Sequence, residues 1–111
     1  MTTMFEDREK AFEAKFAHDE ELKFRALARR DKLFALWAAN RLALTGVARE
    51  RLIDGMLAVQ GFPNHDAALL RFVVAAGVEA AEAPAALNRL GEEAGDQVRA
   101  GNAAPIDLTA E

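Results

Sequence analysis

Residues 3–46 read TMFEDREKAFEAKFAHDEELKFRALARRDKLFALWAANRLALTG, with no proline and no glycine before Gly46. Helix breakers are missing and strong helix formers abound, so the stretch predicts one long helix. It opens on a capping box, Thr3-x-x-Glu6. There the threonine hydroxyl can accept from the Glu6 amide while the carboxylate reaches back. Gly46 suits a left-handed stop at the far end. About 40 residues at 1.5 Å each make a rod of ~60 Å. A compact chain of this length has a radius of gyration of ~13 Å, hence a diameter of roughly 35 Å. The rod therefore projects from any body it belongs to, or breaks. His18-Asp19-Glu20-Glu21 is the expected place for a break, with Asp19 as a fresh N-cap.

The two halves of this stretch differ. Leu27, Leu33, Phe34 and Trp37 lie toward one side of a helical wheel, widened by Ala26, Ala38 and Leu44, and read as a plain core face. In the earlier half, Phe5, Phe12 and Phe16 fall within about 40° of each other at 100° per residue. Nearly everything around them is charged: Glu6, Asp7, Arg8, Glu9, Lys10, Glu13 and Lys15. Glu6 and Lys10 form an i,i+4 pair in the better orientation, which lends an isolated helix slight support. Three rings in a narrow stripe cannot make a core alone. They either fold back on the protein's own body or fill pockets on a partner, as an amphipathic helix does in a groove. Mixed acids and bases on the polar face argue against a membrane-surface helix.

Beyond Gly46 the punctuation predicts three shorter helices. One runs from about Val47 to about Gln60 and ends at Gly61; the next is N-capped by Asn64, after Pro63, and ends near Gly77. Pro84 sits where the first turn of the last helix tolerates it, and that helix fades near Gly101. Valine and isoleucine are scattered, and no run alternates with period two, so the class is all-α. The expected layout is an N-terminal segment over 1–18 that projects or is mobile, a four-helix, bundle-like body over 19–101, and a disordered tail over 102–111 that contains Pro105.

Composition narrows the function. The chain of 111 residues is 51% hydrophobic and 29% charged, enough for one small core. Its net charge of −4 argues against a general nucleic-acid binder. Without cysteine there is no disulfide, thiol catalysis or cysteine metal site. The two histidines, His18 and His65, are far apart in sequence, which leaves at most a mixed carboxylate metal site. Asp19-Glu20-Glu21 reads as a solvated helix start rather than an acid/base pair. Arg25, Arg29, Arg30 and Lys32 form a basic cluster, either a solvated face or a contact for a phosphate or an acidic partner. No glycine-rich phosphate loop is present. Gly91 and Gly95 have the spacing of a membrane dimer motif in polar surroundings and read as a loosely specified helix. No apolar run approaches the ~20 residues that span a bilayer. No signal peptide is evident, and the cytoplasm is the expected location. No catalytic, cofactor-binding or metal-ligating residue is expected.

The run DREKAFEAKFAHDEELKF at residues 7–24, continuing through ARRDKL at 28–33 and LWAA at 36–39, closely resembles the zeta subunit of alphaproteobacterial ATP synthase. The likeness is specific over roughly the first 45 residues and one of layout beyond them. Asp31 and Asn40 stand where that family suggests asparagine and glutamate. The resemblance implies an inhibitor, not an enzyme, peripheral to the inner membrane through ATP synthase. Its N-terminal segment would enter the interface between catalytic beta and alpha subunits of the head, reach toward the gamma shaft and block hydrolysis-driven rotation. Carried over by position, Met4, Phe5, Arg8, Phe12, Lys15 and Phe16 are the contact residues. Weak adenine nucleotide binding is a further implication without a place on particular residues. The rivals are a nucleotide-binding sensor using Arg25–Lys32 and a non-inhibitory regulatory or assembly paralogue.

Overall fold

The computed structural model describes residues 4–109, with the side chains of Met4 and Phe5 excepted. Four helices follow one another: α1 Met4–Arg41, α2 Gly46–Leu57, α3 His65–Ala76 and α4 Glu82–Arg99, with a 3-10 turn at Ala58–Gly61 between α2 and α3. The described residues contain no strand. α1 runs unbroken through His18–Glu21, so the rod projects rather than breaks. The molecule is accordingly long, 62 × 27 × 21 Å. Thr3 of the expected capping box lies outside the described residues.

The core is built on the second half of α1. Phe34, Ala35, Ala38 and Ala39 are fully buried there and meet Leu52, Ile53 and Met56 of α2, Leu69 and Val73 of α3, and Ala83, Ala86, Leu87 and Leu90 of α4. α1 and α4 form the most extensive contact, and small side chains on both let the backbones approach. Phe34 and Trp37 stack with ring centroids 5.6 Å apart. Trp37 and Leu33 pack against the core while remaining partly exposed. Leu27, expected among the core residues, is 51% exposed. It points to the correct side, but onto an open groove that it lines with Gln60 and Gly61, although α4 still holds α1 nearby through Arg29 and Gln97.

The helix ends show where backbone chemistry overrode the punctuation. α1 stops at Arg41, with Ala43 in the left-handed stop position at φ 54°; Gly46 is left-handed too, at φ 61°, but opens α2. The Ala43 amide donates to the Asn40 carbonyl and the Leu44 amide to the Ala39 carbonyl, a Schellman closure that an alanine completes at some strain. The buried Arg49 holds this turn, its Nη1 donating to Asn40 Oδ1 at 2.8 Å and to the Leu44 carbonyl. Gly77 ends α3 as expected, in the same closure, with Val78 buried beneath it. Asn64 precedes α3 but is itself left-handed at φ 57° and makes no side-chain cap. Its carbonyl, accepting from the Ala68 amide, starts the helix instead. Arg41 Nε donates to Glu82 Oε1 at 2.8 Å, tying the end of α1 to the start of α4.

Residues 102–109 run beside the body: Arg29 Nη1 donates to the Ala104 carbonyl at 2.6 Å, and Leu108 packs on the core. Pro105 prevents helix, but Ile106 and Leu108 supply enough apolar surface to hold an extended strap.

Candidate functional site

The outer half of α1 carries the candidate contact residues. Every described side chain from Glu6 to Glu21 is exposed. Arg8, Phe12, Lys15 and Phe16 therefore stand in solvent on the outer half of α1; Met4 and Phe5 share that helix, their side chains outside the described residues. Phe12 is 72% and Phe16 61% exposed, one turn apart on one face. Folding back onto the body, the alternative for this stripe, is not the arrangement seen. At its base the helix is laced by Lys23 to Glu20 and Arg25 to Glu21, exposed pairs worth a few tenths of a kcal/mol each.

Three more apolar side chains extend this surface onto the shoulder of the body: Phe24 at 73% exposure, Leu27, and Phe62 at 59%. Sequence reasoning did not select them. Phe24 lies about 80° or more from the phenylalanine stripe at 100° per residue, and Leu27 reads as core because the stripe and the core face share one side of the wheel. Phe62 sits in the turn before α3, where no periodicity applies.

The basic cluster is divided. Arg25 pairs with Glu21 at 3.0 Å. Arg29 Nε donates to Gln97 Oε1 and its Nη1 to the tail. Arg30 turns inward and is buried. Burial opposes its charge, but hydrogen bonds to Asp66 and Asp31 outweigh that and raise its pKa above the ordinary value. Arg25, Arg29 and the exposed Lys32 do line one groove with Phe24, Val98, Pro105 and Ile106.

Under the shoulder, side chains far apart in sequence converge. Arg30 Nη2 donates to Asp66 Oδ1 at 2.7 Å and to Asp31 Oδ1 at 2.9 Å. Asp31 Oδ2 lies 2.6 Å from His65 Nε2 and accepts from Gln60 Nε2 at 3.3 Å. The Arg30 hydrogen bond holds the Asp66 carboxyl below its usual range, against a smaller opposing effect of burial. Gly91 of α4 is part of this geometry, since a Cβ there would stand 3.3 Å from Arg30 Cδ. Among the described residues, no group of three His, Cys, Asp or Glu side chains is placed to hold a metal ion, and no helix is long and apolar enough to cross a membrane.

The outer half of α1 is a charged helix with an exposed apolar stripe, mounted on a small helical body. No curated protein and no solved structure matches the chain. A family model described as ATPase inhibitor subunit zeta matches residues 1–97, the projecting helix and nearly all of the body together. The chain belongs to the ATPase inhibitor subunit zeta family.

Proposed function

We propose that this protein inhibits ATP hydrolysis by a bacterial F-type ATP synthase, and that residues 1–18 are the inhibitory segment. The observation that carries the reading is the exposure of Phe12 and Phe16 on the outer half of α1, where every described side chain from Glu6 to Glu21 is exposed. In this reading the segment enters the interface between alpha and beta subunits and reaches toward the gamma shaft, and the body stops it from passing through. Rotation in the hydrolysis direction is blocked, while synthesis-direction rotation expels the inhibitor. Met4, Phe5, Phe12 and Phe16 supply apolar contact; Arg8 and Lys15 meet acidic or carbonyl groups of the enzyme. The protein would act in the cytoplasm, held near the inner membrane through the enzyme.

The energetics suit a reversible inhibitor. Burying one phenylalanine side chain is worth roughly 1.5–3 kcal/mol. Ordering the segment on binding costs back about 2–5 kcal/mol of that. Three rings give a useful surplus, whereas one does not.

The direct test titrates the full chain into the cognate enzyme head while ATP hydrolysis is followed. Hydrolysis should fall to a plateau at about one inhibitor per head. Co-purification with the head at undiminished hydrolysis would instead identify a regulatory or assembly paralogue. The groove of Phe24, Arg25, Arg29 and Lys32 favours a second reading, a nucleotide sensor. Nucleotide titration followed by amide shifts at those four residues distinguishes it.

A further inference from the structure

His65 has both ring nitrogens within hydrogen-bonding distance of oxygens. Nδ1 is 3.1 Å from the Val59 carbonyl, and Nε2 is 2.6 Å from Asp31 Oδ2. A carbonyl oxygen only accepts, so Nδ1 carries hydrogen. A neutral imidazole then has a lone pair at Nε2, and an ionised carboxylate has nothing to donate to it. The short approach of Nε2 and Oδ2 requires a proton between them.

Charge leads to the same conclusion. Arg30 and Asp31 are contributed by α1, and His65 and Asp66 by α3. The 3-10 turn contributes the neutral Gln60 amide and the Val59 carbonyl, and α4 contributes Gly91 against the Arg30 methylenes. With a proton on the His65–Asp31 pair, the four ionisable groups sum to zero. Without it, the cluster keeps a net negative charge around an Asp31 side chain that is 3% exposed, which burial penalises.

We infer that Asp31 and His65 form a proton-binding site in which one shared proton fastens the first residue of α3 to α1. The proton belongs to the pair rather than to either residue. The site lies at a groove of about 590 Å³ lined by Phe24, Leu27 and Asp31 of α1 and by Gln60, Gly61 and His65. The proton therefore acts with the Arg30–Asp66 pair and the Gln60 amide in holding the two sides together. The inference concerns the body and stands whether or not the projecting helix binds an ATPase.

Asp66 adds a pH dependence of its own. Its carboxyl is held low by Arg30, so its contribution to stability is complete above about pH 4 and lost as pH falls further.

The experiment uses the full chain with 15N-labelled histidine, the exposed His18 serving as reference. At pH 7 both ring nitrogens of His65 should give protonated-nitrogen shifts, with a strongly downfield Nε2 proton. In Asp31→Asn the side-chain amide can donate to a neutral ring, and the downfield Nε2 proton should be lost. A neutral His65 ring at pH 7, or an unchanged downfield Nε2 proton in Asp31→Asn, overturns the inference. Should Asp31→Asn fail to fold, the ring shifts of the unsubstituted protein decide alone.

Discussion

The two halves of α1 have the same secondary structure and the same apolar side, yet one is core and the other is bare. From Arg30 to Ala39 the helix meets three others; from Glu6 to Glu21 it meets none. What separates them is the company the large apolar residues keep. Around Phe34 stand Ala35, Ala38 and Ala39, all fully buried, which let α4 approach through its own alanines. Around Phe12 and Phe16 stand Lys10, Glu13, Lys15 and Asp19, which hold any neighbouring helix of the same chain at a distance. An aromatic stripe framed by alanine marks a surface for the protein itself. The same stripe framed by charge is left for another.

The strongest way to break this comparison is to remove one half. Deleting the first 17 residues should abolish inhibition and leave the thermal unfolding of the body nearly unchanged, because everything that packs is retained. A truncated chain that inhibits like the full one overturns the assignment. Next come single rings. Phe34→Ala should cost about 3–5 kcal/mol of stability, read as a large drop in Tm. Phe12→Ala and Phe16→Ala should leave Tm in place and weaken inhibition about tenfold or more each, at ~1.4 kcal/mol per decade. Low Tm with normal inhibition in those two variants would put the stripe in the core.

Smaller effects sharpen the picture of the body. A Cβ at Gly55 would fall 2.3 Å from Phe72 Cζ, so α2 and α3 meet through a missing side chain. Gly55→Ala should destabilise by about 1–3 kcal/mol in denaturant titrations. A neutral result would mean that the ring swings aside without cost. The smallest effect has the opposite sign. Ala43→Gly relieves a left-handed alanine, worth ~1–2 kcal/mol, but frees the unfolded chain by about 0.4–1 kcal/mol. A net gain of about 0.5–1 kcal/mol should appear in the midpoint of unfolding; a loss would show that the turn is not strained.

Much of the fold was readable because it is written locally. Gly77 and Pro84 mark real helix limits, and the length of the breaker-free stretch required a projecting rod. The misreadings have one physical origin. Leu27 lies on the core side of α1, and nothing local says that an open groove lies over it. Ala43 takes a glycine's conformation because Arg49, several residues on, locks the turn. The meeting of Asp31 with His65 spans 34 positions and depends on where two helices cross. Of the candidate contact residues, their shared face was legible from spacing, whereas the shoulder formed by Phe24, Leu27 and Phe62 exists only in three dimensions.

The unbroken run of α1 also governs how the protein behaves as a diffusing particle. Its radius of gyration is 17.7 Å. A compact chain reaches that value at about 240 residues, roughly twice this length. A single copy of this 12.1 kDa protein should therefore leave a sizing column near the position of a globular dimer. Sedimentation equilibrium or light scattering, which weigh the particle instead of measuring its drag, would return the mass of one chain. An elution volume taken alone would report the lever arm as a second subunit.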